Sequence, residues 1–373
     1  MTVKILHVIT SLARGGAENM LYKLVESLSQ ETGFSHEVIC LTSGNQFDFD
    51  RLAVPVHHLG MARGFPSLAD FHSMKKLVYK IKPDVIHGWM YHANIAAVAA
   101  RANTPIVWGV RHSLDDIVHE KILTKIIIYF GSFIARWRRI KKVIYCSQAS
   151  RVQHERLGYP PNKSVFIPNG FDCVKFSPQP NARAFLNLQY GFDDAHKVVG
   201  IAARYHPIKN HAGLIRAFKF VVDRLPMARL LLCGKGLDSN NLVISSLIDR
   251  CNLTSKVFLL DEQDDMPRFF SALDVNVLCS YSEGFPNVLG EAMACGVQCV
   301  TTDAGGAASI LGGIGKVVPI GEDEALAEAI VELLTQPQVI RDEQRRRARM
   351  RIQEEYSLPM VAERYASVYR DLC

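Results

Sequence analysis

The stretch VKILHVITSLARGGAENMLYKLVESLS, residues 3–29, reads as one strand, one glycine turn and one helix. The apolar run at its start is far shorter than the ~18 residues of a membrane span. It flows into Gly15-Gly16 instead of a small-residue cleavage site, so it is read as a buried first strand and not as a leader. After the glycines, Met20, Leu21, Leu24, Val25 and Leu28 share one face at the three-and-four spacing of a helix. This strand–turn–helix unit decides the fold, because the chain repeats it.

Working outward, HEVICLT, PDVIHGW, TPIVWGV, KVIYCS and SVFIP read as strands. Helical patterns at 17–29, 68–81, 94–102 and 121–142 separate them. Pro168, Asn169, Gly170, Pro178 and Pro180 then punctuate the chain, and the alternation restarts. KVVGIAARY, MARLLLC, KVFLLD, VNVLCS, QCVTTD and GKVVPI are strands, interleaved with helices at 211–225, 242–251, 266–271 and 288–294. Strands alternating with helices imply parallel sheets covered on both faces. The expected fold is therefore α/β, with two doubly wound Rossmann-like domains at 1–170 and 171–357. A last helix, 358–373, has no strand after it and is expected to cross back toward the first domain. Ligands of such sheets bind past the carboxyl ends of the strands, and with two domains the expected site is the cleft between them.

Composition excludes several classes. The 373 residues are 48% hydrophobic and 21% charged, which is enough apolar material for packed cores and too much for disorder. The nine cysteines are odd in number and scattered, and several end strand-like runs, so they are read as buried reduced thiols of a cytoplasmic protein. Cys295 and Cys299 have a metal-like spacing but no second pair or nearby His. Charge is uneven: residues 1–170 hold 21 Lys+Arg against 12 Asp+Glu, and the remainder 22 against 25. That argues against general nucleic-acid binding and suits a first half that faces a phospholipid surface or a phosphate-linked acceptor.

Three segments carry chemistry. Gly15-Gly16, between strand and helix, lets a phosphate approach backbone amides at a helix N-terminus, although a plain turn needs the same glycines. Arg204 and Lys209 lie on one loop after a strand, where they suit a diphosphate and would offset charge developing on a leaving phosphate. SEGFPNVLGEAMA, 282–294, is the most specific. Glu283 sits in a turn, and Glu291 sits on a helix that Asn287 is placed to cap. A carboxylate at 291 among Gly290, Ala292, Met293 and Ala294 calls for a partner, and a ribose diol is one. The amides of Asn287, Val288 and Leu289 form a first helical turn able to hold phosphate.

With these segments the chain resembles glycosyltransferase family 4 of the GT-B fold. The resemblance rests on GGAE at 15–18, WMYHAN at 89–94, WGVRHS at 108–113, IPNGFD at 167–172, the Arg204/Lys209 loop, GKG at 234–236, SEGFPNVLGEAMA and TTDAGGA at 301–307. Members that build bacterial O-antigen, capsule and exopolysaccharide look closest. The resemblance implies a retaining, metal-independent transferase. Its donor would be a nucleotide-diphosphate sugar, expected to be a UDP-sugar. Its acceptor would be a saccharide hydroxyl, expected to be polyprenyl-diphosphate-linked, at the inner face of the cytoplasmic membrane. It also implies roles: Glu291 for the ribose, Glu283 for the donor sugar, Arg204 and Lys209 for the diphosphate, Gly15 and Gly16 closing over it, and His92 beside the reacting sugar. Arg111 and His112 would face the same cleft. Asp48-Phe49-Asp50 spells a metal–nucleotide motif but lies in a polar loop with Asn45, Gln46 and Arg51, so it is read as a solvated turn. Asp261 stands where relatives carry Gly, which leaves the base open.

KILTKIIIYFGSFIARWRRIKK, 121–142, has seven Lys/Arg and no acid. It is read as one helix with Ile122, Ile126, Tyr129, Phe133, Trp137 and Ile140 on a common face, and with Gly131 as a weak point. Two readings stand: a helix on an anionic membrane surface, or an apolar face packed on the sheet with solvated cations. The two are compatible if the apolar face turns inward and the basic flank meets headgroups. The RRRARMR run at 345–351 is read as a solvated helix face. Rival functions are transfer to a soluble small acceptor, nucleotide-sugar epimerisation, and a silent sugar-nucleotide-binding subunit of an assembly complex.

Overall fold

Strands such as VIHGW at 85–89 and IVWGV at 106–110 are buried along their whole length, as strands covered on both faces must be. The computed structural model describes residues 2–13, 15–44, 47–61, 68–100, 103–115, 117 and 122–373, apart from the side chains at 68 and 69. Arg14, Asn45, Gln46, Ala102 and Lys121, named above, lie outside the described residues. The chain divides into two compact units, Met1–Gly170 with Leu358–Cys373, and Phe171–Ser357.

In the first unit the described strands are β1 (Val3–Ile9), β2 (Phe34–Cys40), β3 (Val56–His58), β4 (Val85–Trp89), β5 (Ile106–Val110), β6 (Ile140–Tyr145) and β7 (Ser164–Phe166). They form one sheet in the order β3-β2-β1-β4-β5-β6-β7, with every pairing parallel. Helices α1 (Gly16–Ser29), α2 (Leu68–Ile81), α3 (Met90–Ala100), α4 (Ile122–Ile134) and α5 (Gln148–Arg156) connect them. Successive residues of β1 feed opposite cores: Leu6 and Val8 on one side, Ile5 and Ile9 on the other.

The second unit repeats the plan. Its elements are α6 (Ala182–Tyr190), β8 (Lys197–Ala202), α7 (His211–Arg224), β9 (Ala228–Cys233), α8 (Leu242–Arg250), β10 (Val257–Asp261), α9 (Met266–Ser271), β11 (Val275–Leu278), α10 (Asn287–Ala294), β12 (Gln298–Thr302), α11 (Ala307–Leu311), β13 (Lys316–Val318), α12 (Asp323–Thr335) and α13 (Gln338–Glu355). The sheet order is β10-β9-β8-β11-β12-β13, again all parallel. The arginine run on α13 is a solvated face only in part: Arg346 and Arg347 are exposed, while Arg349 and Arg351 turn inward. Arg349 donates to the carbonyls of Cys173, Phe176 and Ala294, and Arg351 to those of Ser309 and Ile310. Backbone acceptors at the ends of α10 and α11 draw these guanidiniums inward.

The last helix, α14 (Leu358–Arg370), belongs to the first unit and buries Val361, Tyr365 and Tyr369 against α1 and the sheet. Tyr369 Oη lies 2.7 Å from His87 Nδ1, and Arg111 donates to Tyr365 Oη at 2.5 Å. His7, His36, His87 and Trp89 stack into a buried ring cluster beneath the helix.

The segment 121–142 is not one helix. It stops at Ile134, turns through Trp137, and enters β6 at Ile140, which is fully buried. Gly131 is no weak point either. A Cβ there would lie 2.5 Å from Tyr159 Oη, so glycine lets α4 sit tightly on the core. Helix α4 packs through Ile128, Gly131 and Ile134, which leaves its long apolar face outward. Among the described residues, no helix is long and apolar enough to cross a membrane.

Candidate functional site

Each sheet reverses its strand order once, between β1 and β4 and between β8 and β11. A doubly wound sheet opens a crevice there, just past the carboxyl ends of the two strands. The loops and helix starts that follow these four strands carry Gly15-Gly16, His92, Arg204, Lys209 and Glu283.

In the second unit, Arg204 is exposed on the loop after β8. Pro207–Lys209 forms a single tight turn. His206 Nδ1 accepts from the Ile208 amide at 3.3 Å, and Asn210 Oδ1 accepts from the Gly213 amide at 3.1 Å to start α7. Lys209 is thereby held between two caps. The loop after β11 is stitched to this one, because the Tyr281 amide donates to the Ile208 carbonyl at 2.8 Å. Thr302 Oγ1 anchors it from β12 by donating to the Ser280 carbonyl at 2.6 Å. The outcome is a constellation centred on one oxygen. Lys209 Nζ lies 2.5 Å from Glu283 Oε1, and Ser280 Oγ donates to the same atom at 2.6 Å. The two charged side chains are only 22% and 10% exposed.

Glycines let the backbone close around these loops. At Gly305 (φ +56) a Cβ would lie 1.5 Å from the Glu283 carbonyl oxygen. At Gly234 (φ +142) it would lie 2.3 Å from that of Ala203. The sequence reading missed Ser280 and the reason for Gly305. Ser280 precedes Glu283 by three residues, and that spacing was the available signal.

Helix α10 begins beside Glu283. Pro286 occupies the capping position, and its side chain makes no cap bond. Asn287 is thus the first helical residue and not the cap, which corrects the sequence reading. Its amide and that of Val288 lead the positive end of the helix. Gly290 meets the ring of Phe171, where a Cβ would lie 2.1 Å from Cζ, and Phe171 stacks on Phe285 with centroids 6.1 Å apart. The helix start is pinned this way, and Glu291 sits half-buried on its second turn. Asp261 adopts φ +51 at the end of β10, the left-handed region that glycine enters freely and Asp tolerates better than most residues.

In the first unit, Gly15 is extended (φ −157, ψ 171), a conformation open to any residue. A Cβ there would lie 2.4 Å from Glu18 Oε2, the free end of a flexible side chain that can move aside, so neither φ nor space demands glycine at this position. Glu18 folds back over the start of α1, accepts from Ser11 Oγ at 3.5 Å, and is raised by burial above the usual carboxylate range. At the end of β4, Met90 takes φ +69, and α3 begins there instead of at 94. His92 therefore lies in the helix's first turn, half-buried, with burial lowering its pKa. Arg111 is committed elsewhere. It bonds Asn169 and Tyr365 and lies 5.0 Å over the Trp89 ring, so it ties the structure under α14. Asp48 Oδ1 accepts from the Arg51 amide at 3.0 Å and Phe49 is buried, so this segment is a turn.

Comparison with known proteins places both halves. Residues 14–175 match the family model for glycosyltransferase family 4, and residues 196–336 that for glycosyl transferases group 1. A UDP-Gal:alpha-D-GlcNAc-diphosphoundecaprenol alpha-1,3-galactosyltransferase of Escherichia coli is 26% identical over 312 residues, 82% of this chain and 80% of that one. The putative glycosyltransferase EpsF of Bacillus subtilis is 25% identical over 326 residues, 81% of this chain and 79% of that one. An N-acetyl-alpha-D-glucosaminyl L-malate synthase of Bacillus anthracis is 28% identical, but the match spans only 50% of this chain and 49% of that one. Among solved structures, Anabaena HepE with UDP and glucose superposes with a TM-score of 0.83 at 24% identity, covering 99% of this chain and all of that one. That likeness establishes the GT-B fold.

Proposed function

Because the chain belongs to the family 4 glycosyltransferases, we propose that it moves a sugar, with retention of configuration, from a nucleotide-diphosphate sugar to a saccharide hydroxyl. The observation that carries this is the Lys209–Glu283–Ser280 constellation beside the start of α10. Arg204, Lys209 and the amides of Asn287, Val288 and Leu289 bind the diphosphate. Glu291 accepts from the ribose diol and Glu283 bonds a donor-sugar hydroxyl; Gly15, Gly16 and His92 are the candidate donor and catalytic residues of the first unit. The glycosidic carbon–phosphate oxygen bond breaks as the acceptor oxygen attacks from the same face, and the acceptor proton passes to the leaving phosphate. Arg204 and Lys209 supply the charge that stabilises this leaving group, so the reading calls for no metal.

The donor is a UDP-sugar and the acceptor a polyprenyl-diphosphate-linked saccharide of bacterial surface polysaccharide synthesis. The UDP-Gal donor and diphosphoundecaprenol-linked acceptor in the name of the E. coli relative support both assignments. The protein works in the cytoplasm, on the inner face of the membrane. The malate acceptor in the name of the B. anthracis relative favours a second reading, transfer to a small soluble acceptor. A thermal-shift screen across UDP-, GDP-, ADP- and TDP-sugars tests the proposal: a binder at 100-fold over its Kd adds ~2.7 kcal/mol. UDP-sugars are expected to stabilise the protein most, and no response to any nucleotide sugar would overturn the reading.

A further inference from the structure

The outward face of α4 is large and apolar. Ile122 is 76% exposed, Ile126 56%, Phe133 63%, and Tyr129 and Phe130 more than half. All five lie on one side of the helix, opposite Ile128, Gly131 and Ile134. Trp137, 47% exposed, extends the patch past the end of the helix. At that end an open cavity of about 480 Å³ is lined by Arg136, Glu155, Tyr159, Asn162 and Lys163. Arg136 donates through Nε and Nη2 to the Gly158 carbonyl, and Lys163 to the carbonyls of Ala135 and Trp137. Each cation keeps further donors after these bonds. Glu155 is engaged by Arg151 at 3.7 Å. Burial, with Lys141 close by, lowers the Lys163 pKa, so an anion there would relieve crowding among cations.

We propose that α4 and this cavity form one docking surface for an anionic bilayer. The apolar face of α4 enters the acyl region, Trp137 sits at the interface, and a lipid headgroup phosphate occupies the Arg136–Lys163 cavity. Charge selects this occupant. A second copy of the chain would bring the same cations face to face, and an uncharged apolar partner would leave them unmatched. The inference deepens the membrane part of the function proposed above and is tested without sugar transfer, so the two fail separately.

The sequence holds three tryptophans, and Trp89 and Trp108 are buried, so solvent-sensitive emission reports on Trp137. The full chain is mixed with phosphatidylcholine vesicles, with vesicles also containing phosphatidylglycerol, and with inorganic phosphate. Phosphatidylglycerol vesicles are expected to shift the emission to the blue, and lipids brominated on their acyl chains to quench it; inorganic phosphate does neither. Ile126→Ser combined with Phe133→Ser lowers vesicle affinity on the order of tenfold at an unchanged melting temperature, since both side chains are exposed. Lys141→Gln, on an exposed strand position, lowers it roughly fivefold and makes the loss with salt shallower, because one fewer cation is screened. Sedimentation with vesicles but no acyl-chain quenching would overturn insertion. Absence of binding to anionic vesicles at low salt, or a vesicle-free dimer that shields Trp137 from acrylamide, would overturn the whole proposal.

Discussion

Replacing Lys209 by alanine removes one of two groups that hold Glu283 Oε1. A charge-assisted hydrogen bond contributes ~1.5–3 kcal/mol. Glu283 is only 10% exposed, so losing the ammonium leaves its carboxylate with the Ser280 hydroxyl and little water. In a unit of this size ~1 kcal/mol moves the melting temperature roughly 2–4 °C, so the unit should melt about 3–12 °C lower. The effect on catalysis is larger, because the same ammonium is assigned to the leaving diphosphate: a loss of about 10²–10³ in turnover, or ~2.7–4 kcal/mol. Glu283→Ala should cost less stability, since Lys209 can turn its ammonium to solvent, but a similar loss of transfer. The assay is nucleoside diphosphate release in the presence of acceptor, with melting curves on Lys209→Ala, Glu283→Ala and the double variant. If the pair acts as one unit, the double variant is no slower than the slower single one. Near-normal turnover in either single variant, or losses that simply multiply in the double, would refute the reasoning.

Gly305→Ala places a methyl 1.5 Å from the Glu283 carbonyl oxygen at a positive φ, so that loop must move. The expected result is a melting temperature lower by several degrees and lost UDP-sugar binding, read by thermal shift; unchanged binding would show that the Glu283 loop does not hold the donor. The ring cluster under α14 sets a pH dependence. Burial depresses His7 and His87 well below the usual value, and His36 to about 4. The unfolded chain takes up these protons near pH 6.5 while the folded chain does not, so stability is full above ~6.5 and falls as pH drops toward 4. For His36 alone the loss from pH 6.5 to 5 is about 1.6 kcal/mol, and His7 and His87 add to it in the same direction. Melting curves across that range should show it, and His36→Gln should flatten the slope.

Much of the architecture was legible because it is local. Alternating apolar runs and amphipathic stretches name strands and helices, and uniformly apolar runs such as IVWGV mark strands covered on both faces. Most donor-site candidates were legible too, since Glu283, Glu291, Arg204 and Lys209 stand at sequence spacings that suit phosphate and ribose. Their mutual arrangement was not. That Lys209 and Ser280 meet on one oxygen of Glu283 depends on β8 and β11 being neighbours across the switch point, a pairing of segments about 75 residues apart. The sequence also could not show that Gly15 is extended and lies against the Glu18 carboxylate, because that depends on a side chain folding back over the start of α1.

Helix α4 divides the two kinds of information most clearly. Its sequence by itself determined that a basic segment carries an apolar side. Periodicity reports that such a side exists, but not what covers it. The tertiary structure decided that the chain leaves the helix after Ile134 so that Ile140 can join the sheet. It also decided that the small Gly131 side, not the bulky one, fits against Tyr159, because tight packing there excludes even a Cβ.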